Sequence, residues 1–97
     1  MASHQEKYIF EGKSEKEIYD AALEAIPLAG LKVWKTRVLA RLVLANGMAE
    51  GAEVRCNIAV SMVDQSTTIS AESDDLPEEK LIPVIEKLKS SLDEVLA

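Results

Sequence analysis

The residues best suited to recognising another molecule are four cations in a window without carboxylates. No Asp or Glu lies between Glu24 and Glu50, and that window holds Lys32, Lys35, Arg37 and Arg41. A guanidinium presents a planar fork of donors that fits two oxygens of a carboxylate or phosphate, so such a cluster has the chemistry of an anion site. Lys35, Arg37 and Arg41 share one parity and on an extended strand project from one side. Arg55 stands at a matching position on a later strand. If a loop over 46–52 joined neighbouring strands, Arg41 would lie opposite Asn57 and Val43 opposite Arg55. A two-residue turn at Asp64-Gln65 would set Arg55 opposite Asp74 and Asn57 opposite Glu72. The expectation is a face carrying Lys35, Arg37, Arg41 and Arg55, with Leu39, Val43 and Val63 as apolar residues on it. The competing expectation is a solvated face whose arginines meet Glu53, Glu72 and Asp74 in cross-strand pairs. No glycine loop of the phosphate-cradling kind accompanies these residues.

Other chemistries find less material. The chain has one cysteine, Cys56, and one histidine, His4. A structural zinc site needs four such ligands, and a Cys/His pair would need the N-terminal segment to fold back. Cys56 lies among apolar residues mid-strand, where burial disfavours the reactive thiolate. No serine sits in a nucleophile-elbow context. Asp74, Asp75, Glu78 and Glu79 crowd one helix start, as capping and the helix dipole require. No catalytic set, metal site or cofactor is therefore expected, and the chain reads as a non-enzyme.

Composition bounds the rest. Ninety-seven residues, 47% of them hydrophobic, make one domain with one core. A formal net charge of -6 disfavours nonspecific binding to nucleic acid or anionic lipid. Residues 1–7 contain no apolar signal region, and the longest mostly apolar run, 38–45, is broken by Arg41 and far too short to span a bilayer. A lone cysteine points to a reducing compartment, so a cytoplasmic protein without membrane partners is expected.

The elements that must position these residues read as follows. Residues 1–5 are polar and predict a frayed tail. Tyr8-Ile9-Phe10 predicts a short strand. Ser14-Glu15-Lys16-Glu17 is a capping box opening a helix over about 15–27, with Ile18, Ala22 and Ile26 on its buried stripe. Residues 31–45 are strand-like, with a phase slip that predicts a bulge, bend or turn near Lys35. Beyond the slip the even residues Trp34, Val38, Ala40, Leu42 and Leu44 form the expected core face, and one bent strand or two both satisfy the pattern. Residues 46–51 predict a loop. Val54, Cys56, Ile58, Val60 and Met62 alternate as a half-buried strand. A strand at 67–71 follows. A last helix is capped by Asp75 and carries Leu81, Ile85, Leu88, Leu92 and Val95 on one face, with Pro83 inside it as a kink or an early break.

Helices flanking an antiparallel meander pack on one side of it, which makes a two-layer α+β domain of four to five strands. Over nearly the whole chain this element order resembles the TATA-binding-protein-like and helix-grip folds, and small bacterial domains of unknown function built the same way. The resemblance implies architecture alone, because no motif residue carries a function across. The expected core is Tyr8, Phe10, Ile18, Ala22, Ile26, Trp34, Val38, Leu42, Val54, Cys56, Ile58, Val60, Ile69, Ile85, Leu88 and Leu92. Trp34 doubles as the wall of a candidate pocket under the last helix. The functional expectation is an interaction module that associates with itself or another protein through the open sheet face or a sheet edge. The alternative is a small-molecule or anion-binding domain using that pocket or the arginine face. Nucleic acid is not an expected partner, since the basic face lacks stacking aromatics.

Overall fold

The computed structural model describes residues 1–97. Its elements are β1 (Ala2–Ile9), α1 (Glu15–Leu28), β2 (Lys32–Arg37), β3 (Leu42–Ala49), β4 (Ala52–Val60), β5 (Ser66–Ser73) and α2 (Glu78–Leu96). The strands form one antiparallel sheet in the order β1-β5-β4-β3-β2, so β1 and β2 are its two edges and α1 links them. This is the expected two-layer α+β architecture.

The helices start and stop for local reasons. Ser14 Oγ accepts from Glu17 N–H at 3.1 Å, and Glu17 Oε1 accepts from Ser14 N–H at 3.2 Å, which closes the capping box. Gly30, at φ 81, turns the chain out of α1. The start of α2 differs from expectation: Pro77 is the N-cap and Asp75 caps nothing. Ser73 explains this. Its Oγ accepts from Asp75 and Leu76 N–H and donates to Glu53 C=O at 2.8 Å, holding 74–76 in a turn before the helix begins. A single helix then runs through Pro83.

One sheet face is buried under the helices. Val54, Cys56, Ile58 and Val60 of β4, Ile69 and Ala71 of β5, and Ile18, Ala22, Ile26, Ile85, Leu88 and Leu92 of the helices are all buried, as the periodicity predicts. Each fully buried Ile or Leu contributes roughly 1.5–3 kcal/mol. Tyr8 and Phe10 pack at the margin of this cluster.

The 31–45 segment departs from its expected pattern. The bulge is present, as a register slip between Val33 and Lys35. A second irregularity follows: 38–41 is a turn, closed by Arg41 N–H on Val38 C=O at 3.1 Å, with Arg41 at φ 51. The segment is therefore two strands, and two breaks rather than one set the parity beyond them. Val43 and Ala45 are fully buried and face the helices, whereas Leu42 and Leu44 are half-buried on the opposite face. Trp34 and Val38, expected in the core, are 55% and 56% exposed.

Two further boundaries move. The expected loop over 46–51 is mostly strand; only Glu50-Gly51 turns, both at positive φ, as in a two-residue hairpin. Gly47 lies within β3 because the Leu31 side chain occupies the space a Cβ would need. Nor is the N-terminus frayed, since Ala2 to Ile9 pair residue by residue with β5, from Ala2↔Ser73 to Ile9↔Ser66. An edge strand needs only backbone pairing and one sheltered face. Ala2, His4 and Tyr8 are partly sheltered on the helix side while Ser3, Gln5 and Lys7 stay in water, so the segment is polar yet ordered.

Candidate interaction surface

The arginine face does not assemble. Lys35 and Arg37 lie opposite Leu44 and Leu42, so together with Lys32 they do share the helix-free side, along the edge strand β2. Arg41 leaves them, because the 38–41 turn carries it to the helix side, where its guanidinium stacks 5.7 Å from the Tyr19 ring of α1. Leu39 stands on the tip of the same turn, 93% exposed, and Val43 is buried in the core. Arg55 lies on the helix-free face opposite Asn46 and Glu72, two residues off the expected Asp74 register, because the β4–β5 connection spans 61–65 rather than two residues. Its guanidinium is 3.0 Å from Glu72, 3.5 Å from Asp74 and 3.6 Å from Glu53. Arg55 is thus neutralised in place and separated from Arg37 by about 13 Å along the strands. None of the three apolar residues expected on the open face lies on it: Leu39 and Val63 stand on turns at the end of the sheet, and Val43 is buried in the core.

Trp34 does not wall a pocket under α2; it sits at the bulge on the outer edge. The space beneath the helix is filled by side chains except at one end. There a half-open cleft of about 240 Å³ is lined by Ala29, Leu31, Val54 and Pro83, with Lys80 and Lys87 at its mouth. Lys80 reaches Glu50 across that mouth at 3.5 Å. Cys56 lies on the core face, and burial pushes its thiol pKa up to about 11, which keeps it protonated and unreactive.

The two sheet edges present contrasting surfaces. β2 is bulged and lines its helix-free side with Lys32, Lys35 and Arg37, the features that discourage an added strand. β1 is regular along eight residues, without proline or bulge. On its helix side, His4 Nδ1 is 2.7 Å from Glu78 at the start of α2, and Nε2 is 2.8 Å from Glu6 on its own strand. The hydrogen bonds to Glu78 and Glu6 raise the His4 pKa above its usual value. Sequence reasoning missed this edge because β1 is polar throughout its first half and hydropathy signals burial, not backbone pairing. The alternation of Ala2, His4 and Tyr8 against Ser3, Gln5 and Lys7 is the one trace it leaves.

No helix is long and apolar enough to cross a membrane. No protein-family model matches the chain, and no curated protein matches it significantly.

Proposed function

We propose that the protein is a non-enzymatic interaction module that pairs with a second copy of itself through the β1 edge. The observation that carries this reading is an edge that stays regular over eight residues without bulge or proline, along which a two-fold pairing would set opposite charges against each other in one register only. With a two-fold axis at Gln5, His4 faces Glu6 of the second copy, Ser3 faces Lys7, and Ala2 faces Tyr8. Moving the axis by one residue sets His4 against His4 or Glu6 against Glu6, and like charges opposed across strands destabilise the pairing. The product is a continuous ten-stranded sheet with an isologous contact. The open face is less suited, since Leu39 and Val43 do not lie on it.

Sedimentation velocity across micromolar concentrations tests the pairing. Wild type should show a concentration-dependent dimer. Gln5→Lys places two ammonium groups at the axis and should weaken the dimer by about tenfold or more, with unchanged circular dichroism. A strict monomer over that range overturns the reading. A single free thiol on a buried strand fits a reducing compartment such as the cytoplasm.

The cleft under α2 favours a second reading, a site for a small amphiphilic anion held between an apolar floor and Lys80 and Lys87. Thermal-shift screening against short-chain carboxylates tests it, and no stabilisation by any of them sinks it.

A further inference from the structure

The helix-free face of the sheet is not uniform in charge. Lys32, Lys35 and Arg37 line its β2 side, and none of the three forms an ion pair. β2 and β3 contain no carboxylate. The acids that β4 and β5 carry on this face, Glu53 and Glu72, are held by Arg55 at 3.6 Å and 3.0 Å. The acids of α1 and α2 belong to the other layer, and in 0.1 M salt a screening length of about 10 Å blunts their field. The net charge of -6 therefore does not describe this half of the face.

The same half carries an aromatic side chain that the core does not use. The register slip between Val33 and Lys35 makes Trp34 the extra residue, so Trp34 and Lys35 stand together opposite Leu44. Val33 packs on the core, and alternation turns Trp34 the other way, where the Lys35 ammonium is 6.0 Å from its ring centre. Trp34 is 55% exposed, although tryptophan is highly buried on average. Asn46 and Asn57 place side-chain amides beside it: Asn46 lies opposite Lys32, and Asn57 lies opposite Leu44.

We propose that this half of the sheet face binds single-stranded nucleic acid. Lys32, Lys35 and Arg37 would meet phosphates along the strand, an unpaired base would stack on Trp34, and Asn46 and Asn57 would reach base edges. Unpaired cations alone suit any polyanion. An exposed indole standing between two of them selects a polyanion that carries flat aromatic groups. An acidic peptide satisfies the cations and leaves the indole idle. A duplex keeps its base faces inside the stack and shows only edges, so the strand must be single. A basic face without stacking aromatics argues against nucleic acid, and the exposure of Trp34 removes that objection. DNA and RNA share this chemistry. The inference does not rest on pairing through β1, which is the opposite edge of the sheet.

Trp34 is the only tryptophan, so quenching of its emission reports stacking directly. The probes are oligothymidylate and oligouridylate of about twelve nucleotides, with a duplex of that length and polyglutamate as controls. At about 50 mM salt a single strand should quench the emission, and the logarithm of affinity should fall against that of salt with a slope of about −2, roughly 0.7 for each of three phosphates. Trp34→Ala, followed by polarisation of a labelled strand, should weaken binding about tenfold without changing that slope, and Trp34→Phe should restore much of the loss. Lys35→Gln with Arg37→Gln should weaken binding and cut the slope to about one-third. Lys13→Gln with Lys16→Gln removes the same charge at the start of α1 and should leave the affinity within about twofold. Unchanged melting temperatures would show that the variants remain folded. Binding by one of the two strands and not the other supports the proposal and identifies the sugar. The proposal is overturned if neither strand quenches at about millimolar nucleotide, if Trp34→Ala binds like wild type, or if the α1 variant loses as much as the β2 variant. It is also overturned if the duplex or polyglutamate binds as tightly as the single strands, and with polyglutamate the cations would be assigned to an acidic protein.

Discussion

β1 and β2 occupy equivalent places at the two edges of one sheet, yet they are held by different physics. β2 is fastened by packing. Val33 leans on the core, and Leu31, just ahead of the strand, lies over Gly47 of β3. Its helix-free side bristles with cations, and its bulge spoils the row of backbone donors and acceptors. β1 is fastened through polar and ionisable groups as well. His4 bridges Glu78 and Glu6, and Tyr8 lies beneath Lys89 of α2, whose ammonium is 5.2 Å from the ring centre. An edge held by packing can carry charge and irregularity on its outer side and so refuse a partner. The β1 edge keeps a regular ladder, so its outer row of backbone donors and acceptors stays open to a second copy. The two edges should accordingly loosen under different insults.

The largest expected effect is on the side of β2. Val43 is fully buried between Ile58 of β4 and Thr36 of β2, so Val43→Ala should cost about 2 kcal/mol in urea unfolding. Its neighbour Leu42 points to the open face, and Leu42→Ala should cost less than about 1 kcal/mol. Equal losses at the two positions would mean that the sheet register is not the one described. Gly47→Ala should come next, at up to about 1 kcal/mol, because the added Cβ meets the end of the Leu31 side chain, which must swing aside. Hydrogen exchange should show that loss concentrated in β2 amides while β1 keeps its protection. Loosening spread evenly over both edges would erase the distinction between them.

Particular residues show why some of this was legible in the sequence. Ser14 and Glu17 announced α1 because capping is local chemistry, decided by residues three apart. Val54, Cys56, Ile58 and Val60 announced β4 because a strand that is half-buried along its whole length must alternate. The β2–β3 region defeated the same reasoning. A bulge at Trp34 and a turn at 38–41 each reset the face, and an apolar turn sequence resembles strand when read for hydropathy. A single assumed slip therefore put Leu42 inside and Val43 outside, and the error propagated to the arginines. Lys35 and Arg37 keep their shared face because they precede the turn; Arg41 loses it because it belongs to the turn. The β1 edge was illegible for another reason. Its order comes from backbone pairing to β5, a strand about sixty residues away, and nothing in a polar segment encodes a long-range ladder.

The smallest effect tests β1, and it depends on pH. His4 has a native pKa raised above its unfolded value by the hydrogen bonds to Glu78 and Glu6. A raised pKa means that the folded state binds the proton more tightly. The stabilisation is then fully present below the unfolded value of about 6.5 and is lost as pH rises through the higher native value. His4→Gln should lower the melting temperature below pH 6.5 and make progressively less difference as pH climbs above it. Gly47→Ala should lower it equally across that range, because no titrating group takes part in the clash with Leu31. If His4 also faces Glu6 of a second copy, the dimer should tighten with the same sign, becoming more stable as pH falls toward 6. A His4→Gln difference that is constant with pH would make the histidine a packing residue, and β1 would then be held in the same way as β2.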